Sequence, residues 1–141
     1  LEFRRVLFRS GNLGKKLTLT TQNLADSNSK PAVRKETKIK EVIIDISKNR
    51  MGATVVAEQG KVIGIITDGD IRRMLNNNDT FTHLSAKDIM TKKPKIIQST
   101  TMVVDALNIL EDFSITQLIV VDDGEYKGVL HLHDILKEGI I

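Results

Sequence analysis

The stretch G-I-I-T-D-G-D, residues 64 to 70, lies near the end of a segment that occurs twice in the chain. Residues 37 to 74 recur without a gap at residues 101 to 138, where the second copy reads G-V-L-H-L-H-D over residues 128 to 134. Such a repeat predicts two copies of one small unit packed together, with a ligand cleft between them. The pairs that agree are mainly apolar or glycine positions: Thr37/Thr101, Ile39/Val103, Ile43/Leu107, Ile46/Leu110, Val55/Ile119, Val56/Val120, Gly60/Gly124, Gly64/Gly128, Ile66/Leu130, Asp70/Asp134 and Ile71/Ile135.

Each copy opens with the hydrophobic spacing of an amphipathic helix. Apolar residues fall at i, i+3, i+4 and i+7 in both copies, so each predicted helix carries one apolar stripe. Thr37 and Thr101 are the predicted N-caps. The residues of the two stripes are Ile39, Val42, Ile43 and Ile46, and Val103, Ala106, Leu107 and Leu110.

After each helix, two short β-branched runs predict a hairpin. The turns are E-Q-G in the first copy and D-D-G-E in the second, and a second helix is predicted to begin near Asp68 or His133. Short strands are also predicted after Pro31 and Pro94. The order β-α-β-β-α, present twice, predicts an α/β (α+β) fold in which two repeats form a pseudo-two-fold pair. The predicted hairpin strands are residues 53–57, 61–67, 117–122 and 126–132.

Composition limits the class of protein. The 141 residues are 40% hydrophobic and 28% charged, include no cysteine, and contain no run of about 18 apolar residues. We therefore expect a cytoplasmic protein without disulfides, thiolate metal sites or a membrane span. The net charge of +3 does not indicate nucleic acid, because residues 1–10 carry most of it and aromatic residues are only 4%.

Residues 1–10, L-E-F-R-R-V-L-F-R-S, take no part in the repeat. They resemble a translated cloning or sequencing-adaptor leader, and a basic targeting peptide is the alternative. Residues 18–30 are polar and are expected to cross the surface. We place the first repeat at residues 20–82 and the second at 83–141, where Ser85-Ala86-Lys87-Asp88 predicts a capping box.

The residues that end the repeat have the chemistry of a ribose-phosphate site. Gly64 allows backbone to approach a ligand closely, and Thr67 and Asp70 supply a hydroxyl and a carboxylate at a helix N-terminus that favours anions. Asp70 would accept from sugar hydroxyls, while Thr67 and the helix amides would face phosphate. Helix capping by Thr67 or Asp70 is the alternative. Neighbouring residues assigned to the same candidate site are Asp68, Arg72 and Arg73.

In the second copy His131 replaces Thr67 and His133 replaces Gly69. Period-two spacing places His131 and His133 on one side, with Asp134 adjacent. We favour recognition of phosphate or carboxylate by an imidazole that titrates near neutral pH. A metal site of two His and one carboxylate is less favoured because no third strong ligand follows, and a hydrogen-bonded core histidine remains an alternative.

The duplicated unit, with G-h-h-T-x-x-D at Gly64, Thr67 and Asp70, resembles a pair of CBS domains over about residues 20 to 141. The resemblance implies a regulatory module that binds adenosyl or other nucleotides between its units. It also adds Lys95 and Ile96 to the candidate ligand site, because the strand after Pro94 borders the cleft in this fold. Lys92 and Lys93, just before that strand, are interpreted mainly as a solvated face.

A narrower resemblance is to the C-terminal half of D-arabinose 5-phosphate isomerases of the Kdo pathway. It rests on four stretches: G-N-L-G-K-K-L at 11 to 17, I-T-D-G-D-I-R-R at 66 to 73, H-L-H-D at 131 to 134, and the final L-K-E-G-I-I. Residues 11–19 would then be the remnant of an upstream isomerase domain. Phe8 and Arg9 stand where that family has His-Pro, so the resemblance implies that the catalytic domain is missing and that this chain has no catalytic residues.

These observations predict a regulatory module of such an isomerase, with no metal and no cofactor. The candidate ligand is CMP-Kdo or an adenine nucleotide. Helix residues Ile71, Met74, Leu75, Ile135 and Leu136 predict self-association into a dimer. A structural dimerisation pair without ligand, and the sensor half of another enzyme or transporter, are the alternatives; nucleic acid and membrane are not expected partners.

Overall fold

The computed structural model describes residues 18–25 and 30–139. The proposed leader and most of the proposed isomerase remnant lie outside these residues. The predicted order β-α-β-β-α is present twice, and each copy is preceded by a short helix. The elements are α1 Thr21–Ala25, β1 Ala32–Val33, α2 Ile39–Asn49, β2 Ala53–Glu58, β3 Lys61–Thr67, α3 Asp68–Asn77, α4 Ala86–Ile89, β4 Ile96–Ile97, α5 Val103–Asp112, β5 Gln117–Asp122, β6 Glu125–His131 and α6 Leu132–Lys137.

The strands form two three-stranded sheets of the same design, in the orders β1-β2-β3 and β4-β5-β6. In each sheet a short edge strand runs parallel to the first strand of an antiparallel hairpin. Both hairpins carry a bulge, after Val56 and after Val120. The hairpin turns have positive φ at their central residues, 51° and 80° at Gln59 and Gly60, as a tight two-residue hairpin requires. The predicted fold class and hairpins are confirmed.

The predicted N-caps of the first long helices are wrong by one residue. The caps are Lys38 and Met102, and neither makes a side-chain capping bond. Thr37 instead closes the preceding turn, where its Oγ1 accepts a hydrogen bond from the Arg34 amide at 2.9 Å. A hydroxyl used in that turn is not available to the helix.

The two short helices are exchanged between the units. Before α1, Thr20 pairs with Met102, and Thr21 N donates to Thr101 O at 2.7 Å, so α1 lies against the second unit. Before α4, Ser85 pairs with Lys38 in the same way, so α4 lies against the first unit. The expectation that residues 18–30 cross the surface fails for Thr21 and Leu24, which are buried, whereas Gln22 and Asn23 on the other side of α1 are exposed. Residues 26–29 lie outside the description.

Three apolar clusters hold the pair together. One contains α1 and the second unit, and another contains α4 and the first unit. The third joins the faces of the two sheets and includes Val55 and Ile65 from the first sheet with Ile119 and Tyr126 from the second. The result is the predicted pseudo-two-fold pair. No helix among residues 18–25 and 30–139 is long and apolar enough to cross a bilayer.

Candidate functional site

Thr67 and Asp70 form a reciprocal capping box at the start of α3. The Asp70 amide donates to Thr67 Oγ1 at 3.3 Å, and Asp70 Oδ2 accepts from the Thr67 amide at 2.9 Å. Asp70 Oδ2 also accepts from Thr67 Oγ1 at 3.1 Å. The alternative role as a helix cap is therefore present in this conformation.

The second carboxylate oxygen of Asp70 is also engaged. Asp70 Oδ1 accepts from the Arg73 guanidinium and from Thr91 Oγ1, the latter at 3.0 Å. Asp70 is buried, whereas the Arg73 side chain is 66% exposed. A ribose hydroxyl could contact this carboxylate only in exchange for one of these donors. The ribose role predicted for Asp70 stays a prediction.

The backbone at Gly64 is approached closely, as the motif predicts. The approaching atoms, however, belong to Met90 and Thr91 of this chain and not to a ligand. A Cβ at Gly64 would lie 2.6 Å from Met90 Sδ and 3.0 Å from Thr91 O. Thr91 pairs with Ile65, exchanging two backbone hydrogen bonds of 3.0 and 2.8 Å. The absence of a side chain at Gly64 lets residues 90 and 91 lie against β3.

An apolar cleft of about 510 Å³ opens between β3 and the segment that leads into β4. Its lining combines apolar side chains with three lysines. It lies between the units, because Val62 and Ile63 belong to the first sheet, whereas Ile96 and Val121 belong to the second. The lining residues are Lys61, Val62, Ile63, Met90, Lys92, Lys93, Pro94, Ile96, Val121 and Gly124.

A smaller cavity of about 280 Å³ lies beside α3 and the end of α4. Asp70, Arg73 and Ile89 line it, whereas Met90 lines the apolar cleft. Of the predicted site residues, therefore, Ile96 lies in the apolar cleft, and Asp70 and Arg73 lie beside the smaller cavity. The two linings are adjacent along the backbone at residues 89 and 90.

Three predicted residues point elsewhere. Asp68 and Arg72 are exposed on α3, and the Asp68 amide donates to Gly52 O at 3.0 Å. Lys95 Nζ lies 4.0 Å from the centre of the Phe113 ring, a cation–π contact.

In the second unit His131 takes the place of Thr67 as a helix cap. His131 Nδ1 accepts from the His133 amide at 3.0 Å, and Asp134 Oδ2 accepts from the His131 amide at 2.8 Å. The two imidazoles stack with ring centres 4.7 Å apart, although the chain is not extended there: β6 ends at His131 and α6 begins at Leu132. Because Nδ1 is an acceptor, the neutral ring carries its proton on Nε2.

The surroundings of His131 disfavour its cationic form. Burial lowers the pKa of His131, the neighbouring His133 lowers it further, and Asp134 opposes both. At neutral pH this imidazole offers an N–H donor and little charge, which differs from the predicted titration near neutral pH. Among the described residues, no group of three or more His, Cys, Asp or Glu side chains could hold a metal ion.

Lys92 and Lys93 are exposed, as a solvated face requires, and both also line the cleft together with Lys61. Their position before the Pro94 strand was the available signal. Val62 and Met90 carried no signal beyond apolar character, because the packing of residues 90 and 91 on β3 depends on a tertiary contact.

The fold and the cleft between its units define the class of protein. The family model described as "CBS domain" matches residues 25–77 and 86–140. The chain therefore belongs to the CBS domain family and contains a tandem pair of these domains.

The chain is also similar to arabinose 5-phosphate isomerases named KdsD. It is 38% identical to the one from Francisella tularensis subsp. tularensis over 130 residues, covering 91% of this chain and 40% of that protein. It is 32% identical to the one from Salmonella typhi over 133 residues, covering 93% of this chain and 40% of that protein. The chain thus spans about 40% of the length of these curated relatives.

A solved structure supports the fold. A CBS domain protein from Pyrobaculum aerophilum, complexed with AMP, superposes with a TM-score of 0.75 at 24% identity. The match covers 85% of this chain and 97% of that one.

Proposed function

We propose that this CBS pair is the regulatory, nucleotide-binding module of an arabinose 5-phosphate isomerase. The observation that carries the proposal is the cleft of about 510 Å³ between the units, which is lined by apolar side chains and three lysines. That volume is within the range of small-molecule sites. Apolar side chains such as Ile63 and Met90 suit a base, and Lys61, Lys92 and Lys93 suit phosphate or carboxylate oxygens.

Proteins similar to this chain support the ligand class. The Pyrobaculum protein of the same fold is complexed with AMP, which makes an adenine nucleotide a reasonable candidate. The KdsD relatives point to the Kdo pathway, in which CMP-Kdo would be an end product suited to feedback. We favour CMP-Kdo, because its sugar carboxylate adds a negative charge for the three lysines of the cleft.

The chain itself is proposed to regulate rather than to catalyse. Aldose–ketose isomerisation needs a base and groups that polarise a carbonyl. In the full-length protein the upstream isomerase domain would supply these groups, and this pair would report the nucleotide level to it. The proposed partners are that domain, a nucleotide or nucleotide-sugar, and a second copy of the chain.

Isothermal titration calorimetry with AMP, ATP, CMP and CMP-Kdo tests the proposal. We expect saturable binding of at least one of them, tightest for CMP-Kdo. The double variant Lys92→Ala/Lys93→Ala should weaken it by about tenfold, since two solvent-exposed ionic contacts are lost. The matched control is Lys87→Ala/Lys137→Ala, which removes the same charge from exposed positions outside the cleft lining.

The outcomes separate the candidate functions. Binding of AMP equal to or tighter than CMP-Kdo would make the pair an adenylate sensor and remove the acidic-sugar proposal. No heat with any of the four nucleotides would favour a structural dimerisation module. An equal effect of the two double variants would mean that the lysines act only through net charge.

A further inference from the structure

The pseudo-two-fold repeat generates two related clefts between the units. The first is open, and the second contains a side chain of the protein. The first cleft lies between β3 and the segment before β4, with Val62 and Pro94 in its lining. The repeat relates Val62 to Tyr126 on β6, and Lys95 to Pro31 before β1. The related second cleft is therefore the space between the start of β6 and the residues around Pro31.

Tyr126 occupies that second space. It is 3% exposed, and its hydroxyl donates to Pro31 O at 2.6 Å. Lys30 Nζ lies 5.1 Å from the centre of the ring. The aromatic ring thus spans from β6 to the opposing segment, and Val62 has too short a side chain to make the corresponding contact in the first cleft.

The hairpin turns differ in the same sense. A Cβ at Gly60, in the first hairpin, would lie 2.5 Å from Glu125 Oε2, and Gly60 O accepts from the Tyr126 amide at 2.8 Å. A Cβ at Gly124, which lines the first cleft, would meet no atom of the described residues within 4 Å. The turn beside the second cleft is closed by contacts from β6, while the turn beside the first is open.

The charges differ as well. Lys61 begins β3 and lines the first cleft, whereas the related residue that begins β6 is Glu125. A carboxylate in this position repels phosphate, and an ammonium attracts it.

We infer that the pair binds one nucleotide per chain, in the first cleft, because Tyr126 occludes the second, where Glu125 also stands in place of the lysine that begins β3. This inference rests on the proposed function for the identity of the ligand. Beyond that function, it gives the number of nucleotides bound per chain and the residues that determine this number.

The test exchanges the residues of the two clefts. With AMP, ATP, CMP and CMP-Kdo as probes, calorimetry of the wild type should give one site per chain for each nucleotide that binds. Glu125→Lys/Tyr126→Val recreates the Lys61-Val62 pair in the second cleft and should give two. Val62→Tyr should reduce binding in the first cleft at least tenfold. Tyr126→Phe, which keeps the ring, should remain at one site.

An independent measurement needs no ligand. Tyr126 is the only tyrosine and the chain has no tryptophan, so its fluorescence reports the second cleft directly. Acrylamide should quench it weakly in the folded protein and strongly in urea. Weak quenching without nucleotide binding would reject the proposed function and keep the occlusion.

Three results would overturn the inference. They are two sites per wild-type chain, folded-state quenching as strong as in urea, and a folded Glu125→Lys/Tyr126→Val variant that still has one site.

Discussion

At the scale of single residues, Asp70 serves stability in the conformation described and is predicted to serve ligand recognition. Its carboxylate caps the start of α3 together with Thr67. It also accepts a hydrogen bond of 3.0 Å from Thr91 Oγ1, in the segment that follows α4. Asp70 is buried, so removing its carboxylate loses these hydrogen bonds and also leaves their donors without an acceptor. The same side chain that closes the helix would thus have to exchange partners when a ribose binds.

We predict that Asp70→Ala lowers the free energy of unfolding by about 1–3 kcal/mol, from the lost cap and hydrogen bonds. The control is Asp88→Ala in the exposed capping box of α4, with an expected cost of about 0.5–1 kcal/mol. Urea denaturation monitored by circular dichroism measures both. Equal costs for the two variants would contradict a cross-linking role for Asp70.

His131 gives a second prediction at this scale, a dependence of stability on pH. Burial and the adjacent His133 lower the pKa of His131 in the folded state, so the unfolded chain binds a proton at higher pH than the folded one. The contribution of neutral His131 to the free energy of unfolding should therefore be fully present above the unfolded pKa of about 6.5. It should be lost as the pH falls through the lowered pKa of the folded state.

Urea denaturation over pH about 5 to 8 measures this dependence. His131→Thr restores the residue that the first unit has at this position and should flatten the pH profile, while His83→Asn, at an exposed site, should not. A wild-type stability that rises as pH falls below about 6.5 would contradict the assignment.

At the scale of elements, the decisive feature is the exchange of α1 and α4 between the units. Leu24 of α1 is 6% exposed and packs with Val103 and Leu107 of the second unit. A helix of five residues is not stable by itself, so α1 exists because of this contact. The first unit in sequence therefore contributes to the core of the second.

We predict that Leu24→Ala destabilises the protein by about 2–4 kcal/mol, as expected for a cavity in a packed core. The matched control is Gln22→Ala on the exposed side of the same helix, with little effect. Thermal or urea unfolding measures the difference. A cost for Leu24→Ala no larger than that of the control would show that α1 does not belong to the core.

The elements also show what the sequence could predict. Local patterns sufficed for the hairpins, because Gln59-Gly60 and Asp123-Gly124 encode the turns, and for the Ser85–Asp88 capping box. They failed for the docking of α1, since nothing local in residues 18–25 specifies the partner. The same limit applies to the candidate site. The sequence motif was enough to select Asp70, but the lysines of the cleft come together only because residues 90 and 91 pack on β3, which is a tertiary contact.

At the scale of the whole molecule, the predicted apolar helix faces are only partly covered within one chain. Met74 and Ile135 are buried, but Leu75 is 52% and Leu136 39% exposed. Exposed apolar residues on the corresponding helices α3 and α6 favour a two-fold association of two chains.

We predict a dimer at tens of micromolar by multi-angle light scattering. Leu75→Lys/Leu136→Lys should shift it to monomer, because the dimer would then have to bury two charges in place of two leucines. The control is Phe113→Lys, which places one charge at an exposed aromatic residue after α5. A monomeric wild type at these concentrations would contradict the prediction.

The measurement that tests the proposed function most directly is a titration of the ¹⁵N-labelled protein with CMP-Kdo and with AMP, followed by two-dimensional NMR. A regulatory nucleotide site in the first cleft predicts saturable shifts at Lys61–Ile63 and Met90–Ile96, with the residues around Tyr126 and Pro31 unchanged. No saturable shift with either nucleotide, or shifts confined to residues away from this cleft, would contradict it.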